Sequence, residues 1–535
     1  MNRLNVIGLL LMSLGCSSSS STNVPSDSSI PSSGGHSDDA MSAGGATSPA
    51  GSGGTTAAGG ATSPATTPPN ADLTATIHAD QVTYVLAPEF AGQNYESFPG
   101  WGADVSMSDF QKAAFKAAGL QMLRYPGGAP ADWFDLAYTG KCSDGSAANW
   151  NAPAYTSLWT AFSPGGLKAV MLQTNPTTQW CGTGAQDASG THVAAIATTA
   201  AAANIPVVYE VGNEPDIGDS FFATGGGADA YAAKFIEHAN AIHGAVPTAK
   251  VYGPAVCGLG GNCSFPVTWD SKWIGNFLAK TGNKATGAGK GTVDGISFHV
   301  YLHSEWGYSD LTEAKTDLYG FAQYWPSTLM PYVRTLIAQY DDRTLPVAIS
   351  EVAIGAASDS NGNGSMSAVL RTIDLIGAFA ASGVHSFQWF DANAAGPSDF
   401  WLITSSAVRP CFYAFAAWAR MGDHVLALDN SGNPHDVSMY ATSKTDGSVQ
   451  VLVINKTSTA HAVSLAFSGF DQAGKSMTVT TANSSDGTDT TGTVMFNGAK
   501  NPAPSAITAP TATAAATNPQ INVPAYSFAV VEFAK

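Results

Sequence analysis

Two glutamates close to the ends of predicted strands have the type and spacing for paired carboxyl chemistry. Glu214 lies in "VVYEVGNEPD" (207–216), and Glu351 lies in "LPVAISEVA" (345–353). Cleavage of a glycosidic bond needs one carboxylic acid that protonates the leaving oxygen and a second carboxylate that attacks the sugar or activates water. The two groups must also titrate differently. Glu210 and Asp216 flank Glu214, and we expect them to be supporting or solvated groups.

The elements that carry this pair repeat along the chain as a short apolar strand, a loop and a helix. Helices are predicted at 108–118, 229–243 and 365–382, each followed by a glycine, and a further one begins at Pro410. The eight strand candidates are 90–97, 120–128, 167–175, 206–215, 249–255, 293–301, 345–353 and 384–393. Eight such units predict a (β/α)8 TIM barrel in the α/β class. A doubly wound sheet is the alternative, but no Gly-rich phosphate turn follows the first strand.

Active sites of such barrels lie at the carboxyl ends of the strands. Besides the two glutamates, the polar and aromatic residues at these ends are Arg124, Asn213, His299, Tyr301 and Trp389. Arg124 could pair with Glu351. His299 could be a core histidine, Tyr301 could be a packing residue, and Trp389 could either fill the barrel top or form a floor on which a sugar stacks.

The strand motifs resemble those of clan A glycoside hydrolases, which are retaining enzymes on a (β/α)8 barrel. "GNEP" (212–215) is similar to the acid/base strand and "ISEV" (349–352) to the nucleophile strand. Within the clan, "LRYPGG" (123–128) and "FAGQNYE" (90–96) most resemble family 51 α-L-arabinofuranosidases. The resemblance covers roughly 73–535.

The resemblance implies a role for each matching residue. Glu214 is the acid/base and Asn213 binds the sugar 2-hydroxyl. Glu351 is the nucleophile with Tyr301 as its hydrogen-bond partner, and Glu96 contacts the sugar in the −1 subsite. The remaining candidates for substrate contact are Arg124, His299 and Trp389.

Two positions depart from the family 51 pattern. Ala129 stands where that family usually has Asn, and Val352 stands where it usually has Trp. "EVGNEP" (210–215) and the run 409–422 resemble families 39 and 79 as much, which act on xylosides or uronides. Alternative activities are therefore β-glucuronidase, β-xylosidase or endo-glucanase on the same barrel, and a non-catalytic glycan-binding surface protein is the alternative from another class. No cofactor or metal is implied.

The barrel is expected over 89–424. Short alternating strands over 425–535 predict a C-terminal antiparallel β-sandwich, and we expect strands within 72–88 to join it. Residues 17–71 are almost entirely Ser, Gly, Ala, Thr and Pro and predict a disordered linker.

The N-terminus predicts export. Residues 1–16 have a basic residue, a short apolar run and then "SLGC", which resembles a bacterial lipoprotein signal with Cys16 as the lipidated residue. The alternative is an ordinary secretory signal. A lipid anchor would place the protein on a bacterial cell surface or outer membrane, and without it the protein would be extracellular. In an exported chain Cys257 can pair with Cys263, and Cys142 with Cys181.

The composition limits the kinds of partner that the chain is expected to bind. With a net charge of −17, the chain lacks the basic character of nucleic-acid binders. We therefore expect no nucleic-acid partner, and we expect a carbohydrate substrate. The sugar, its linkage, exo or endo action and the oligomeric state stay open.

Overall fold

Eight parallel strands close into a barrel, as the sequence predicts. The computed structural model describes residues 71–95, 107–132, 154–177, 189–216, 222, 227–257, 272–301, 322–353, 364–391 and 401–535, all within the compact unit Asn70–Lys535. The barrel strands are β2 (Ala91–Asn94), β3 (Met122–Tyr125), β4 (Ala169–Thr174), β5 (Val207–Val211), β6 (Lys250–Val256), β7 (Gly295–Tyr301), β8 (Val347–Ala353) and β9 (Ser386–Trp389). They follow one another in order, and β9 pairs with β2 to close the ring.

Helices surround the barrel. The described ones are α1 (Asp109–Ala117), α2 (Tyr155–Phe162), α3 (Gly190–Ala202), α4 (Gly227–Ala245), α5 (Lys272–Thr281), α6 (Met330–Tyr340), α7 (Met366–Ser382) and α8 (Phe412–Trp418). Because helices cover the outside and side chains fill the inside, the strands are buried on both faces and appear in the sequence as continuous apolar runs.

The predicted boundaries of α1 and α7 agree with the observed caps, whereas α4 continues past Gly244, its predicted end, to Ala245. Ser108 and Gln111 form a reciprocal capping box at the start of α1. Ser365 caps α7 through the backbone N–H of Ala368. Gly383 ends α7 in the left-handed conformation with φ of 70°. Glycine adopts this conformation without the penalty that a Cβ imposes.

The C-terminal strands form one ladder of eleven strands together with β1 (Leu73–Val85). The other members are β10 (His424–Asn430), β11 (Val437–Ser443), β12 (Val449–Asn455), β13 (His461–Ser468), β14 (Ser476–Ser484), β15 (Val494–Phe496), β16 (Ala499–Lys500), β17 (Thr513–Ala514), β18 (Gln520–Val523) and β19 (Ser527–Phe533). All pairings are antiparallel except β1 with β13. A single strand, β1, thus joins the sheet from the N-terminal side of the barrel.

The sheet folds over so that β13 faces β19. Phe467 on β13 and Phe533 on β19 lie with ring centroids 5.0 Å apart, although four strands separate β13 from β19 in the ladder. Alternate residues of β12 show the two layers: Val451 and Val453 join the core inside the sheet, whereas Leu452 and Ile454 join the core shared with the barrel. This arrangement is the two-layer packing expected of a sandwich.

A buried ion pair links the sheet to the barrel. Lys456 Nζ donates to Asp374 Oδ2 on α7 over 2.5 Å and to Ser438 Oγ over 2.8 Å, and both charged side chains are at most 3% exposed. Tyr440 Oη donates to Asp374 Oδ1 over 2.7 Å.

Among the described helices, none is long and apolar enough to cross a membrane.

Candidate active site

Glu214 stands on a strained turn directly after β5. Its φ is 42°, in the left-handed region that residues other than glycine rarely adopt. Its N–H donates to Ala255 O over 2.9 Å, which fastens the turn to β6. Gly212, two residues earlier, has φ of 76°, and a Cβ there would lie 2.9 Å from Pro176 Cγ. The turn that carries Glu214 therefore requires glycine at position 212, because any larger residue would meet both the left-handed backbone and Pro176.

Glu351 reaches the barrel interior through a bulge in β8. Phe298 pairs with Ile349, but the next residue of β7, His299, pairs with Glu351, so β8 carries one extra residue. The same shift appears against β9. In a regular strand Ala348, Ser350 and Val352 would share the inner face, and Glu351 would point outward. The bulge brings Glu351 beside His299 at the mouth of the barrel.

Arg124 at the end of β3 connects the whole site. It is fully buried and all five of its N–H groups have acceptors. These acceptors are Glu210 Oε2 at 2.5 Å, Asn94 Oδ1 at 2.9 Å, Glu351 Oε1 at 2.7 Å, Asn213 Oδ1 at 2.8 Å and His299 Nε2 at 3.4 Å. One guanidinium thus positions five residues on or just after four strands, β2, β5, β7 and β8, which its rigid fork of donors allows.

His299 bridges the two glutamates as a neutral ring. Arg124 donates to its Nε2, so the proton lies on Nδ1. Nδ1 lies 2.8 Å from Glu214 Oε1 and 3.4 Å from Glu351 Oε2. Burial, reinforced by the charge of Arg124 and opposed by that of Glu351, lowers the pKa of His299 to about 4. His299 is therefore a neutral donor at neutral pH.

The two glutamates meet, but in different surroundings. Oxygens of Glu214 and Glu351 and the His299 nitrogen lie within 4.8 Å of one another. Glu351 receives the Arg124 ion pair and a hydrogen bond from Tyr301 Oη over 2.5 Å. Burial raises the pKa of Glu351, and these partners oppose the rise. The side chain of Glu214 is 21% exposed and accepts the hydrogen bond of His299 Nδ1.

Burial raises the pKa of Glu214 to about 7, and the charge of Arg124 opposes the rise. The arrangement therefore favours a proton on Glu214 and a negative charge on Glu351, the division that paired carboxyl chemistry requires.

The same three side chains offer metal-ligand atoms, but their surroundings disfavour a cation. His299 Nδ1 carries the proton that a metal would have to replace, and Arg124 already places a positive charge 2.7 Å from Glu351.

Three supporting residues are not identifiable from the sequence alone. Gln173 on β4 accepts from Gly127 N over 2.9 Å and donates to Asn213 Oδ1 over 3.4 Å, so it ties two strand-end turns together. Asn94 on β2 donates to backbone oxygens of Ser350 and Gln388 over 3.0 and 3.2 Å. Asp132 ends the 3-10 turn that follows β3, and its backbone oxygen accepts from Thr177 Oγ1 over 2.9 Å, which ties this turn to the loop after β4. A single buried amide within an apolar run does not change the hydrophobic pattern of the strand, so the sequence gives no signal that marks Gln173 or Asn94.

The structure corrects the prediction for Trp389 as a sugar-stacking floor. Trp389 is 1% exposed and packs edge-to-face against Phe415 of α8, with ring centroids 5.6 Å apart. The strand alternation turns it outward, toward the helix layer. The next residue, Phe390, follows the strand; its ring centroid lies 6.2 Å from that of Tyr301, and the side chain is only partly buried.

Several predicted residues lie outside the described part of the chain: Cys16, Glu96, Cys142, Cys181 and Cys263. Cys257 is disulfide-bonded, but the pairings proposed for it and for the other cysteines stay predictions. Cys411 is a buried thiol that accepts a hydrogen bond from Thr372 Oγ1 over 3.4 Å, and burial raises the pKa of this thiol to about 11.

Solved structures share this fold. One is AbfB, a family 51 alpha-L-arabinofuranosidase from Bifidobacterium longum, with TM-score 0.64 and 14% identity over 87% of this chain and 100% of that one. Another is the GH51 arabinofuranosidase from Xanthomonas axonopodis pv. citri, with TM-score 0.61 and 16% identity over 87% and 100% of the two chains. A third is CelM2, a bifunctional glucanase-xylanase from a metagenome library, with TM-score 0.62 and 15% identity over 86% and 99%.

No family model and no curated protein sequence matches the chain. The structural likeness, at 14–16% identity, is one of fold. The chain therefore has the barrel-plus-sheet architecture of clan A glycoside hydrolases such as the family 51 arabinofuranosidases.

Proposed function

We propose that this protein is a retaining glycoside hydrolase that acts on oligosaccharides or polysaccharides. The observation that carries the proposal is the pair Glu214 and Glu351, with oxygens within 4.8 Å and unequal surroundings. Retaining enzymes hold their two carboxyl groups about 5–5.5 Å apart, whereas inverting enzymes need about 6.5–9.5 Å to admit a water molecule.

In the proposed mechanism each carboxyl group has its own step. Glu351, ionised beside Arg124, attacks the anomeric carbon while Glu214 transfers its proton to the leaving oxygen. Glu214, now a carboxylate, then removes a proton from the water that releases the sugar from Glu351. Neutral His299 holds Glu214 through a hydrogen bond at both protonation states without competing for its proton.

Two neighbours prepare the nucleophile and the sugar. Tyr301 donates to Glu351 Oε2, which orients the carboxylate for attack and favours its ionised form. Asn213 has its amide oxygen occupied by Arg124, which leaves the amide nitrogen as the donor for a sugar hydroxyl.

The finer proposal is α-L-arabinofuranosidase-like activity. Its support is the resemblance of the "LRYPGG" and "FAGQNYE" strands to family 51 and the family 51 enzymes among the structural neighbours. An endo-glucanase is the second candidate, because a family 44 endoglucanase from Clostridium acetobutylium shares the fold with TM-score 0.61.

A panel of aryl glycosides tests both levels. Arabinofuranoside, xyloside, glucuronide, glucoside and galactoside, together with soluble glucans, should be incubated with wild type and Glu351→Gln. We expect wild type to cleave at least one substrate with retention of anomeric configuration by NMR, and Glu351→Gln to lose nearly all activity. Cleavage with inversion, or a fully active variant, would refute the mechanism. Glycan binding without any cleavage would instead favour a binding protein.

Trapping identifies the nucleophile directly. A 2-fluoro analogue of the cleaved glycoside should label Glu351 covalently, as seen by peptide mass spectrometry. Label on any other carboxylate would remove Glu351 from its role.

We also propose a surface-anchored exported protein, on the strength of residues 1–71 of the sequence. Metabolic labelling with palmitate in a bacterial host should mark wild type but not Cys16→Ala. Equal labelling of both would exclude this anchor.

A further inference from the structure

The turn that carries Glu214 is hydrogen-bonded to the end of β6 at two points. Glu214 N–H donates to Ala255 O over 2.9 Å. Two residues further along both segments, Cys257 N–H donates to Asp216 Oδ1, also over 2.9 Å. The regular pairing of β5 with β6 ends before both points. These two hydrogen bonds therefore extend the contact between the strands into the segment that holds Glu214.

We propose that Asp216 is a positioning residue whose carboxylate clamps the turn after β5 to the end of β6 and so keeps the Glu214 carboxyl group in its place beside His299. In this role Asp216 acts through the backbone of Glu214 and not on the substrate. The catalytic part of the inference rests on the proposed function, whereas the clamp is a property of the structure.

The clamp is needed because strained backbones meet at this contact. Glu214 has φ of 42° and Ala255 has φ of 55°, both in the left-handed region that residues other than glycine rarely adopt. Glu214 also precedes Pro215, and a proline restricts the residue before it toward extended conformations. Strained residues persist only where their surroundings over-determine them. One hydrogen bond between two strained residues fixes neither of them, and the Asp216 contact supplies a second point.

The β6 side of this contact is a firm anchor. The pairing of β6 with β7 passes from Pro254 to Val256, so Ala255 is a bulged residue. Ala255, Val256 and Cys257 are all fully buried, and Cys257 is disulfide-bonded. A carboxylate oxygen makes a stronger hydrogen bond with a backbone N–H than a neutral oxygen does. The partly buried Asp216 thus ties a strained turn to a segment that is held by packing and by a covalent bond.

The place of the Glu214 carboxyl group depends on this backbone. Its Oε1 accepts from His299 Nδ1 over 2.8 Å, and oxygens of Glu214 and Glu351 lie within 4.8 Å of each other. If the turn relaxed to an extended conformation, the Cα–Cβ bond of Glu214 would point in another direction and the contact with His299 would be lost. The inference therefore predicts that loss of the Asp216 acceptor impairs proton transfer by Glu214.

The experiment compares wild type, Asp216→Asn and Asp216→Ala with a matched control, Asp294→Ala. Asp294 Oδ2 also accepts a backbone N–H of β6, from Val251 over 3.0 Å, but it lies directly before β7, at the opposite end of the barrel. Asparagine keeps an acceptor oxygen at position 216, whereas alanine removes it. Each protein is assayed on the phenyl and the dinitrophenyl glycoside of the sugar that wild type cleaves.

The two leaving groups distinguish positioning of the acid from a general loss of structure. On the phenyl glycoside, which needs a proton on its leaving oxygen, we expect Asp216→Ala to lower kcat/KM about 10- to 100-fold, since a small misplacement of a reacting group has an effect of this size. On the dinitrophenyl glycoside, whose leaving group needs no proton, kcat/KM should stay close to the wild-type value. Asp216→Asn should recover most of the loss, and Asp294→Ala should keep the wild-type ratio between the two substrates.

Two kinetic results would overturn the positioning role. One is an equal loss on both substrates in Asp216→Ala, and the other is a wild-type kcat/KM on the phenyl glycoside. If Asp216→Ala does not fold, Asp216→Gln, which moves the acceptor oxygen by one methylene group, replaces it in every measurement with the same expectations.

Hydrogen exchange without substrate separates this inference from the proposed function. Measured by mass spectrometry on the full chain, backbone exchange within 207–216 should be faster in Asp216→Ala than in wild type and unchanged in Asp294→Ala. Wild-type exchange in Asp216→Ala, or the same increase in Asp294→Ala, would overturn the clamp even if the enzyme is active. Faster exchange in a protein that cleaves nothing would support the clamp and refute only the glycosidase assignment.

Discussion

Replacing Arg124 by methionine tests the site most directly, because this fully buried guanidinium is the only cation in contact with two buried carboxylates among the described residues. Methionine keeps much of the volume but leaves Glu210 and Glu351 without a charge partner. Removing one member of a buried ion pair destabilises a protein by about 3–5 kcal/mol, because the remaining charge stays desolvated. We expect Arg124→Met to lower the free energy of unfolding by this amount.

The catalytic effect follows from the nucleophile. Burial already raises the pKa of Glu351, and Arg124 opposes the rise. A contacting cation lowers a carboxyl pKa by roughly 1–3 units, so its loss should move the acid limb of kcat/KM upward by about two units. In the acid range this lowers kcat/KM about a hundredfold, while above the shifted pKa part of the activity should return.

The assay combines denaturant unfolding with a pH profile and uses two comparisons. Arg420→Met removes a partly exposed arginine that pairs with Glu532 over 3.1 Å, and we expect a loss of about 1 kcal/mol or less. In Arg124→Met/Glu210→Gln one stranded carboxylate is gone, so the double variant should be less destabilised than the sum of the single variants, with a coupling of roughly 0.5–3 kcal/mol.

The reasoning would be wrong if Arg124→Met unfolded within about 1 kcal/mol of wild type or kept the acid limb of wild type. Additive single effects at Arg124 and Glu210 would show that their contact at 2.5 Å does not contribute to stability.

Three further predictions concern individual contacts. Tyr301→Phe removes the hydrogen bond to Glu351 Oε2, so the pKa of Glu351 should rise further. The acid limb of the kcat/KM profile should therefore move to higher pH. An acid limb at the wild-type pH would mean that Tyr301 is a packing residue. Gly212→Ala places a Cβ 2.9 Å from Pro176 Cγ at φ of 76°, so it should lower the free energy of unfolding by about 1–3 kcal/mol and reduce kcat more than KM. The control Gly244→Ala, on an open surface of α4, should be neutral or stabilising. Equal effects of the two substitutions would contradict the turn geometry. Lys456→Met leaves the buried Asp374 without its charge partner at 2.5 Å and should lower the free energy of unfolding by about 3–5 kcal/mol. The double variant Lys456→Met/Asp374→Asn should recover part of this lost stability. Denaturant unfolding that shows no such recovery would argue against the ion pair.

The activity should also depend on pH in a defined direction. The acid role needs protonated Glu214, which is present below its raised pKa of about 7 and is lost as the pH rises through that value. A wild-type enzyme with full activity at pH 9 on substrates with poor leaving groups would contradict this assignment.

Much of the architecture is predictable because local patterns reflect burial. Strands buried on both faces need apolar runs, and helices between them need caps, so β8 and α7 can be placed within a few residues from the sequence. The position of Glu214 is predictable for the same reason: the strand must end where Gly212 opens a left-handed turn.

Other features depend on partners far away in the chain. The bulge at Ser350 and Glu351 is defined by the pairing of β8 with β7 and β9. The sequence of β8 alone therefore does not predict it. The role of Trp389 fails for the same reason, since the face that a strand residue occupies is decided by register, and register here turns Trp389 toward α8.

By itself the sequence determined the order of eight strand–helix units, the sheet that follows them, and a short list of carboxylates near strand ends, because these depend on composition and periodicity along the chain. The tertiary structure decided which carboxylate is ion-paired with Arg124 and which accepts a hydrogen bond from a neutral histidine. That difference sets the two protonation states, and it arises only when side chains from separate strands share one buried volume, where a single cation cannot compensate every carboxylate.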